Sequence, residues 1–322
     1  MDRRHLIGIM LVVVSACGFG SGALFAKPVY AAGVDWLTLL VWRFVIGAAL
    51  AWGWLLLSAA GRRGLRLLTR REVLVAIALG ILYTGNSGTY YAGLETVPAS
   101  LAALIVYIYP ALVAVLSLRV GRRLEGRRAW AALGLALLGV ALAVGGIDAT
   151  EAPPPLGLLL IVASPIIYAV WIVLAARLSG ERSDRVGREA EQGAQTAAAT
   201  ALMMTATAGA WLVLATTTER PYGPALIPSE AWPGILGVAV LATFVAIVAF
   251  YAGARRVGAA QAALISTVEP IWTITLAAIL FGELLQPVQL LGGALIIGGV
   301  LLAQWPTGAS MPLRPRIRIA DE

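Results

Sequence analysis

The sequence predicts an all-α integral membrane protein: ten transmembrane helices arranged as two inverted five-helix repeats. Three observations predict it. The 322-residue chain is 60% hydrophobic and only 13% charged, against about 25% charged in soluble domains, so its apolar excess must face lipid. Ten apolar runs come near or above the roughly 20 residues that a spanning helix needs. The third observation is that one stretch is written twice. Tyr91–Leu142, laid without gaps on Tyr251–Leu302, matches at 16 of 52 positions, at an offset of 160 residues.

In chain order the runs are Leu6–Ala26, Trp36–Leu57, Val73–Ala92, Ser100–Leu118, Ala129–Gly146, Leu156–Ala176, Gly193–Thr217, Trp232–Ala252, Ala259–Phe281 and Val288–Trp305. Helices are expected because a backbone in lipid must satisfy its own hydrogen bonds. Barrel strands would alternate polar and apolar residues, and these runs do not. The first run follows Arg3 and Arg4, and Val14-Ser15-Ala16-Cys17 is similar to a lipoprotein cleavage site. Its apolar character continues past Cys17 to Ala26, so it reads as an ordinary first span. Trp36, Trp54, Trp130, Trp232 and Trp305 fall near span ends, where an indole suits the interface. The stretch 218–231 carries Pro221, Pro224 and Pro228 and reads as an irregular cap, and 177–192 reads as a polar linker.

Charge sets the orientation. Arginines cluster in the N-terminal tail, in the second loop (Arg62, Arg63, Arg66, Arg70, Arg71), in the fourth (Arg119 to Arg128), sixth (Arg177 to Arg188) and eighth (Arg255, Arg256), and in the C-terminal tail. With ten spans, these 21 of the 24 basic residues share one side. The other side receives Lys27 and Arg220, and Arg43 lies inside a span. Positive-inside bias makes the basic side cytoplasmic, with both termini inside, and the expected location is the inner membrane. Five spans per copy is an odd number, so the second copy enters the membrane upside down. The expected units are residues 1–150, 151–306 and a cytoplasmic tail, 307–322. Such inverted repeats recur in secondary transporters, with substrate near the midplane between them.

The repeated residues resemble a known family. Tyr91-Ala92-Gly93, Ala102-Ala103-Leu104-Ile105 and Pro110 return as Tyr251-Ala252-Gly253, Ala262-Ala263-Leu264-Ile265 and Pro270. With the ten spans and short arginine-rich loops, this pattern is similar to the EamA branch of the drug/metabolite transporter superfamily. The second copy carries more of it: Glu269-Pro270, Phe281-Gly282-Glu283, and Gly292-Gly293-Ala294 through Gly298-Gly299-Val300. Ser15–Lys27 and Arg43 also resemble that family. The first copy departs where Arg122-Arg123 replaces Gly282-Glu283. The resemblance covers nearly the whole chain and implies movement of small metabolites without naming one.

Ionisable groups inside spans are costly and are functional candidates by default. Glu269 lies about eleven residues into the ninth run, and Pro270 disfavours a helical conformation there. It reads as a carboxylate that binds a cation or takes part in proton coupling, or as half of a structural ion pair. Lys27, at the end of the first run, either snorkels or serves as a counter-charge. Arg43 either clamps an anionic group or neutralises a helix C-terminus. Glu95 and Glu283, at loop turns, read as solvated. Tyr83, Asn86 and Tyr90 share one helical face. Tyr107 and Tyr109 precede Pro110, Tyr168 and Trp171 are three apart, and Trp272 is near Glu269. Polar groups at that depth need partners, and aromatic walls with a few polar groups describe a small-molecule pocket. Glu269, Tyr83, Asn86, Tyr90, Tyr107, Tyr168, Trp171, Trp272, Lys27 and Arg43 therefore form the expected substrate site. The glycines of Gly18-Phe19-Gly20-Ser21-Gly22, Gly292-Gly293 and Gly298-Gly299 read as close helix contacts.

The single Cys17 and the single His5 exclude a cysteine metal cluster and make histidine catalysis an unsuitable reading. No nucleophile–base pair, metal-ligand spacing or phosphate loop appears, so no enzyme, cofactor or nucleotide-driven pump is expected. The basic residues fall between apolar runs, which does not suit nucleic acid. The expected partners are a small-molecule substrate, the bilayer, and protons as coupling ion, in a monomer or homodimer. The expected function is secondary active transport, as an exporter of an amino acid or related compound by alternating access. The alternative is a passive channel or facilitator for small polar solutes.

Overall fold

A computed structural model describes residues 3–118, 126–145, 152–178, 189–257, 261–262 and 265–304. The helices are α1 (Arg3–Ala31), α2 (Trp36–Leu57), α3 (Ala59–Arg66), α4 (Arg70–Leu94), α5 (Ala99–Val106), α6 (Tyr109–Leu118), α7 (Gly126–Gly145), α8 (Pro155–Leu178) and α9 (Glu189–Thr217). They continue with α10 (Trp232–Leu236), a π-helical segment (Gly237–Val245), α11 (Ala246–Val257), α12 (Val268–Phe281) and α13 (Pro287–Gln304). The described residues contain no strand.

Among the described residues, six helical stretches are long and apolar enough to cross a membrane: Arg3–Ala31, Trp36–Leu57, Arg70–Leu94, Pro155–Ala175, Ala194–Thr217 and Ser229–Ala254. The other four expected runs hold shorter apolar helices, Ala99–Val113, Trp130–Val144, Val268–Phe281 and Pro287–Leu302. Two of these are short for a visible reason. The fourth run turns at Tyr107-Ile108 and the ninth at Ser266-Thr267, each just ahead of a proline. At 1.5 Å per residue, α12 spans about 21 Å, against about 30 Å of hydrocarbon.

Two further features differ from expectation. α1 runs on to Ala31, so Lys27 lies inside the helix and does not end it. The second loop contains α3, which buries Gly61 and Gly64 and exposes Arg62, Arg63 and Arg66. Glycine is a weak helix former, which hides α3 from propensity. A Cβ at Gly64 would collide with the backbone of Ala194 in α9, so glycine is what lets the two helices meet. The Ser58 side chain starts α3 by accepting the Gly61 N–H at 2.9 Å.

The duplication reappears in the packing. A Cβ on Gly93 of α4 would meet the Gly157 carbonyl of α8 at 2.8 Å and Ile161 at 2.7 Å. A Cβ on Gly253 of α11, 160 residues later, would meet the Gly8 carbonyl of α1 at 2.9 Å and Val12 at 2.6 Å. One interlock is thus built twice. α7 and α13 also pack closely: Gly139 faces Gly292, and Ala132 faces Gly299. The paired numbers run in opposite senses, so the two helices are antiparallel, and the offset of 160 exchanges one contact for the other. α5 sits among α1, α7, α8 and α12, with Leu101, Leu104 and Ile105 no more than 2% exposed. The stretch 218–231 does cap the fold. Its Pro221 carbonyl accepts from the Thr38 hydroxyl at 3.2 Å and its Tyr222 carbonyl from the Trp42 indole at 3.0 Å. The 177–192 linker and the 307–322 tail fall largely or wholly outside the described residues.

Candidate functional site

The site begins with two helix breaks. Pro110 has no N–H to give the Val106 carbonyl, and α5 ends at Val106. A new helix, α6, starts at Tyr109. In the second copy α12 starts at Val268, with Glu269 in its first turn. Tyr109 and Glu269 are 160 residues apart and each precedes the proline of its copy. Glu269 is helical, contrary to the expectation from Pro270. The break falls earlier, at Ser266-Thr267, because proline within a first helical turn removes a donor that has no partner in any case. A first-turn carboxylate is also favoured by the helix dipole.

Around this break lies a group of aromatic rings. Tyr168 stacks on Trp171 with centroids 5.9 Å apart and planes 16° apart. Tyr83 meets Trp171 edge-on at 5.4 Å and Tyr168 at 6.3 Å. Tyr109 meets Tyr168 at 4.8 Å and Tyr107 at 5.9 Å. Glu269, half-buried, is near enough to the phenols of Tyr90, Tyr107, Tyr109 and Tyr168 to act on them electrostatically. Among the described residues, no hydrogen bond or ion pair engages its carboxylate. The arrangement offers one carboxylate, several ring faces and several hydroxyls, drawn from α4, α8, α12 and the α5–α6 break. Such a set can hold a small amphipathic molecule or a cation.

The remaining candidates have other partners. Asn86 accepts from the Ser164 hydroxyl at 2.9 Å in a buried pair that ties α4 to α8. The Trp171 indole donates to the Leu79 carbonyl at 2.9 Å, which fixes its ring. Trp272 is 36% exposed and donates to Ser21 Oγ at 3.0 Å. Arg43 is 7% exposed. Its Nε donates to Thr243 Oγ1 at 2.9 Å, and its guanidinium lies 5.0 Å from the Phe44 ring centroid and 4.8 Å from that of Tyr91. Among the described residues, these contacts do not include a helix C-terminus. Thr243 sits in the π-helical segment and donates to the Val238 carbonyl five residues back at 2.8 Å; the widened turn is what aims its oxygen at Arg43.

Lys27 donates to the Val97 carbonyl at 2.7 Å. The two loop carboxylates are not simply solvated. Glu95 accepts the Trp36 N–H at 2.6 Å, at the start of α2. Glu283 accepts from the Ala99 N–H at 3.1 Å, and from the Ser100 N–H and hydroxyl at 2.8 and 2.9 Å. Pro98, the N-cap residue of α5, makes no side-chain cap, so Glu283 does that work from 183 residues away. The residues missing from the expected site are Tyr109, Ser164, Thr243 and Ser21. The signal for Tyr109 is its place opposite Glu269 when the two copies are laid on each other. No signal in the sequence marks the other three.

The sequence pattern described as the EamA-like transporter family matches residues 6–145 and again 155–305. An uncharacterized transporter from Archaeoglobus fulgidus is 27% identical over 221 residues, 67% of this chain and 70% of its own length. The uncharacterized transporter YcbK of Bacillus subtilis is 26% identical over 305 residues, 90% of each chain. A solved crystal structure shares the fold at a TM-score of 0.62 and 19% identity, covering 92% of this chain and 96% of its own.

Proposed function

From the premise that the chain belongs to the EamA-like transporter family, and is a multi-pass membrane transporter, we propose that it is a secondary active exporter working by alternating access. Its cargo is a small amphipathic metabolite, such as an amino acid or a related organic compound. It works in the inner membrane with both termini cytoplasmic. In this reading the four shorter helices complete ten spans, in two inverted repeats of residues 1–150 and 151–306. The antiparallel α7–α13 contact, exchanged by the repeat offset, supports the inversion.

One observation carries the reading: the two broken fourth helices of the copies converge on a ring-lined region holding Glu269. Discontinuous helices at the repeat interface are where secondary transporters bind substrate and coupling ions. Glu269 is the coupling or cation-binding group. Tyr83, Tyr90, Tyr107, Tyr168 and Trp171 line the site, and Asn86, Arg43, Lys27 and Trp272 hold the helices that present them. Flux of pooled metabolites into proteoliposomes, with and without an imposed proton gradient, tests this. Accumulation against a gradient in the wild type, lost in Glu269→Gln, is the expected result. Uphill transport that persists in Glu269→Gln removes that residue from coupling. Flux that only runs downhill favours a passive facilitator.

A further inference from the structure

The link from α2 to α4 carries five arginines in ten residues, Arg62, Arg63, Arg66, Arg70 and Arg71, and all five are exposed. α3 holds the first three, and its other face is docked. Gly64 admits the backbone of Ala194 in α9. Leu65 and Leu68 pack on a buried cluster that includes Ala198 and Met204 of α9. The Gln195 side chain donates to the Leu67 carbonyl at 3.2 Å. The arginine face is thus held outward by contacts between the two copies.

Beside this charge the surface is apolar. At the end of α2 Leu57 is 87% exposed and Trp54 57%, and early in α4 Leu74 is 67% exposed. In a membrane protein such side chains face acyl chains, so α3 lies where hydrocarbon gives way to headgroups. Arg62 is held at that line. Its Nη1 donates to the Leu56 carbonyl at 2.5 Å, one residue before Leu57. A guanidinium has five N–H donors, and this bond uses one. Arg66 is one turn further along α3 and shares the exposed face of Arg62. Arg70 and Arg71 stand in the first turn of α4, where the helix dipole disfavours a cation. Glu72 is the one acidic residue from Trp36 to Leu94, and its carboxylate accepts from the Thr69 N–H and hydroxyl at 2.8 Å each. An anion from outside the chain would relieve this concentration of like charge.

We propose that the α2–α3 corner binds an anionic phospholipid, with Arg62 and Arg66 clamping its phosphate and its chains lying along Leu57 and Trp54. Guanidinium suits a phosphate because its planar fork offers paired donors. A free phosphate would use only the arginines, and an uncharged lipid only the apolar residues. A phospholipid with net negative charge uses both. In the topology proposed above the corner faces the cytoplasmic leaflet, whose surface carries anionic lipid. Bound there, the lipid presses α3 onto α9 and so fastens the first copy to the second. The site is independent of the cargo and of how the cargo is moved.

The test uses the full chain in uncharged detergent micelles. Short-chain phosphatidylglycerol is titrated in, and binding is read from the unfolding midpoint and from the lipids retained in native mass spectrometry. Short-chain phosphatidylcholine supplies the same chains without net charge, and glycerol phosphate supplies the charged head without chains. Phosphatidylglycerol should raise the midpoint and saturate, and the other two should do neither. Arg62→Gln combined with Arg66→Gln should weaken its half-saturation about 25-fold, at about fivefold for each basic residue near a membrane surface. Arg127→Gln combined with Arg256→Gln removes the same charge from two other exposed positions and should leave it unchanged. All four substitutions are at exposed positions, and circular dichroism without lipid checks that each pair folds. The proposal is overturned if phosphatidylcholine binds as well as phosphatidylglycerol, which makes the contact one of chains alone. It is overturned if glycerol phosphate binds as well, which makes it a free-phosphate site. It is equally overturned if the Arg127 and Arg256 pair loses as much as the Arg62 and Arg66 pair, because the attraction is then diffuse charge with no built site.

Discussion

Alanine at Gly298 and alanine at Gly299 should move stability in opposite directions. The two residues are neighbours in α13 with the same helical backbone, so their propensity gain is the same. Glycine costs a helix interior about 0.5–1 kcal/mol relative to alanine. A Cβ on Gly298 meets nothing within 4 Å, so Gly298→Ala should gain that amount. A Cβ on Gly299 would stand 2.7 Å from the Ala132 carbonyl oxygen, 3.2 Å from the Ala136 nitrogen and 3.3 Å from Leu135 Cβ. Two of those are backbone atoms, so α7 and α13 must separate. Overpacking costs about 1–3 kcal/mol, which leaves Gly299→Ala about 0–2.5 kcal/mol less stable after the propensity gain of about 0.5–1 kcal/mol. The same contrast should hold in α7 between Gly134, which is open, and Gly139, whose Cβ would lie 2.5 Å from the Gly292 carbonyl. Reversible unfolding by SDS titration in mixed micelles, followed by circular dichroism, measures all four. If Gly299→Ala is as stable as Gly298→Ala, the close antiparallel contact is wrong, and the support it lends to inverted repeats goes with it.

Three other predictions concern the contacts of Asn86, Arg43 and Glu283. Ser164→Ala should cost about 1–3 kcal/mol by orphaning the Asn86 oxygen, and Asn86→Leu added to it should recover part of the loss; a double-mutant cycle by the same titration checks the coupling. Arg43→Lys should destabilise by about 1–3 kcal/mol, since lysine cannot reproduce the Nε bond to Thr243 together with the ring contacts; Thr243→Val should then add little in the double variant, as read from thermal midpoints. Gly282→Ala should cost about 1–2 kcal/mol for its left-handed φ of +69°. It should also speed hydrogen exchange at Ala99 and Ser100, because Glu283 is no longer aimed at them.

What the sequence determined alone are properties that repeat along the chain. Hydropathy gave apolar runs in the right places, and internal identity gave the duplication, because a span and a copy are each contiguous. Even the helix breaks left a local mark, Pro110 and Pro270. Tertiary structure decided the pairings. Nothing near Glu283 says that it caps a helix 183 residues earlier, and nothing distinguishes Gly298 from Gly299 until α7 lies against one of them. The weak helix propensity of the two glycines in Ala59–Arg66 hid a helix whose Gly64 admits the close approach of α9. Capping, hydrogen bonding and close approach depend on which segments meet in three dimensions. A linear pattern records which groups are available, and the fold decides which of them find each other.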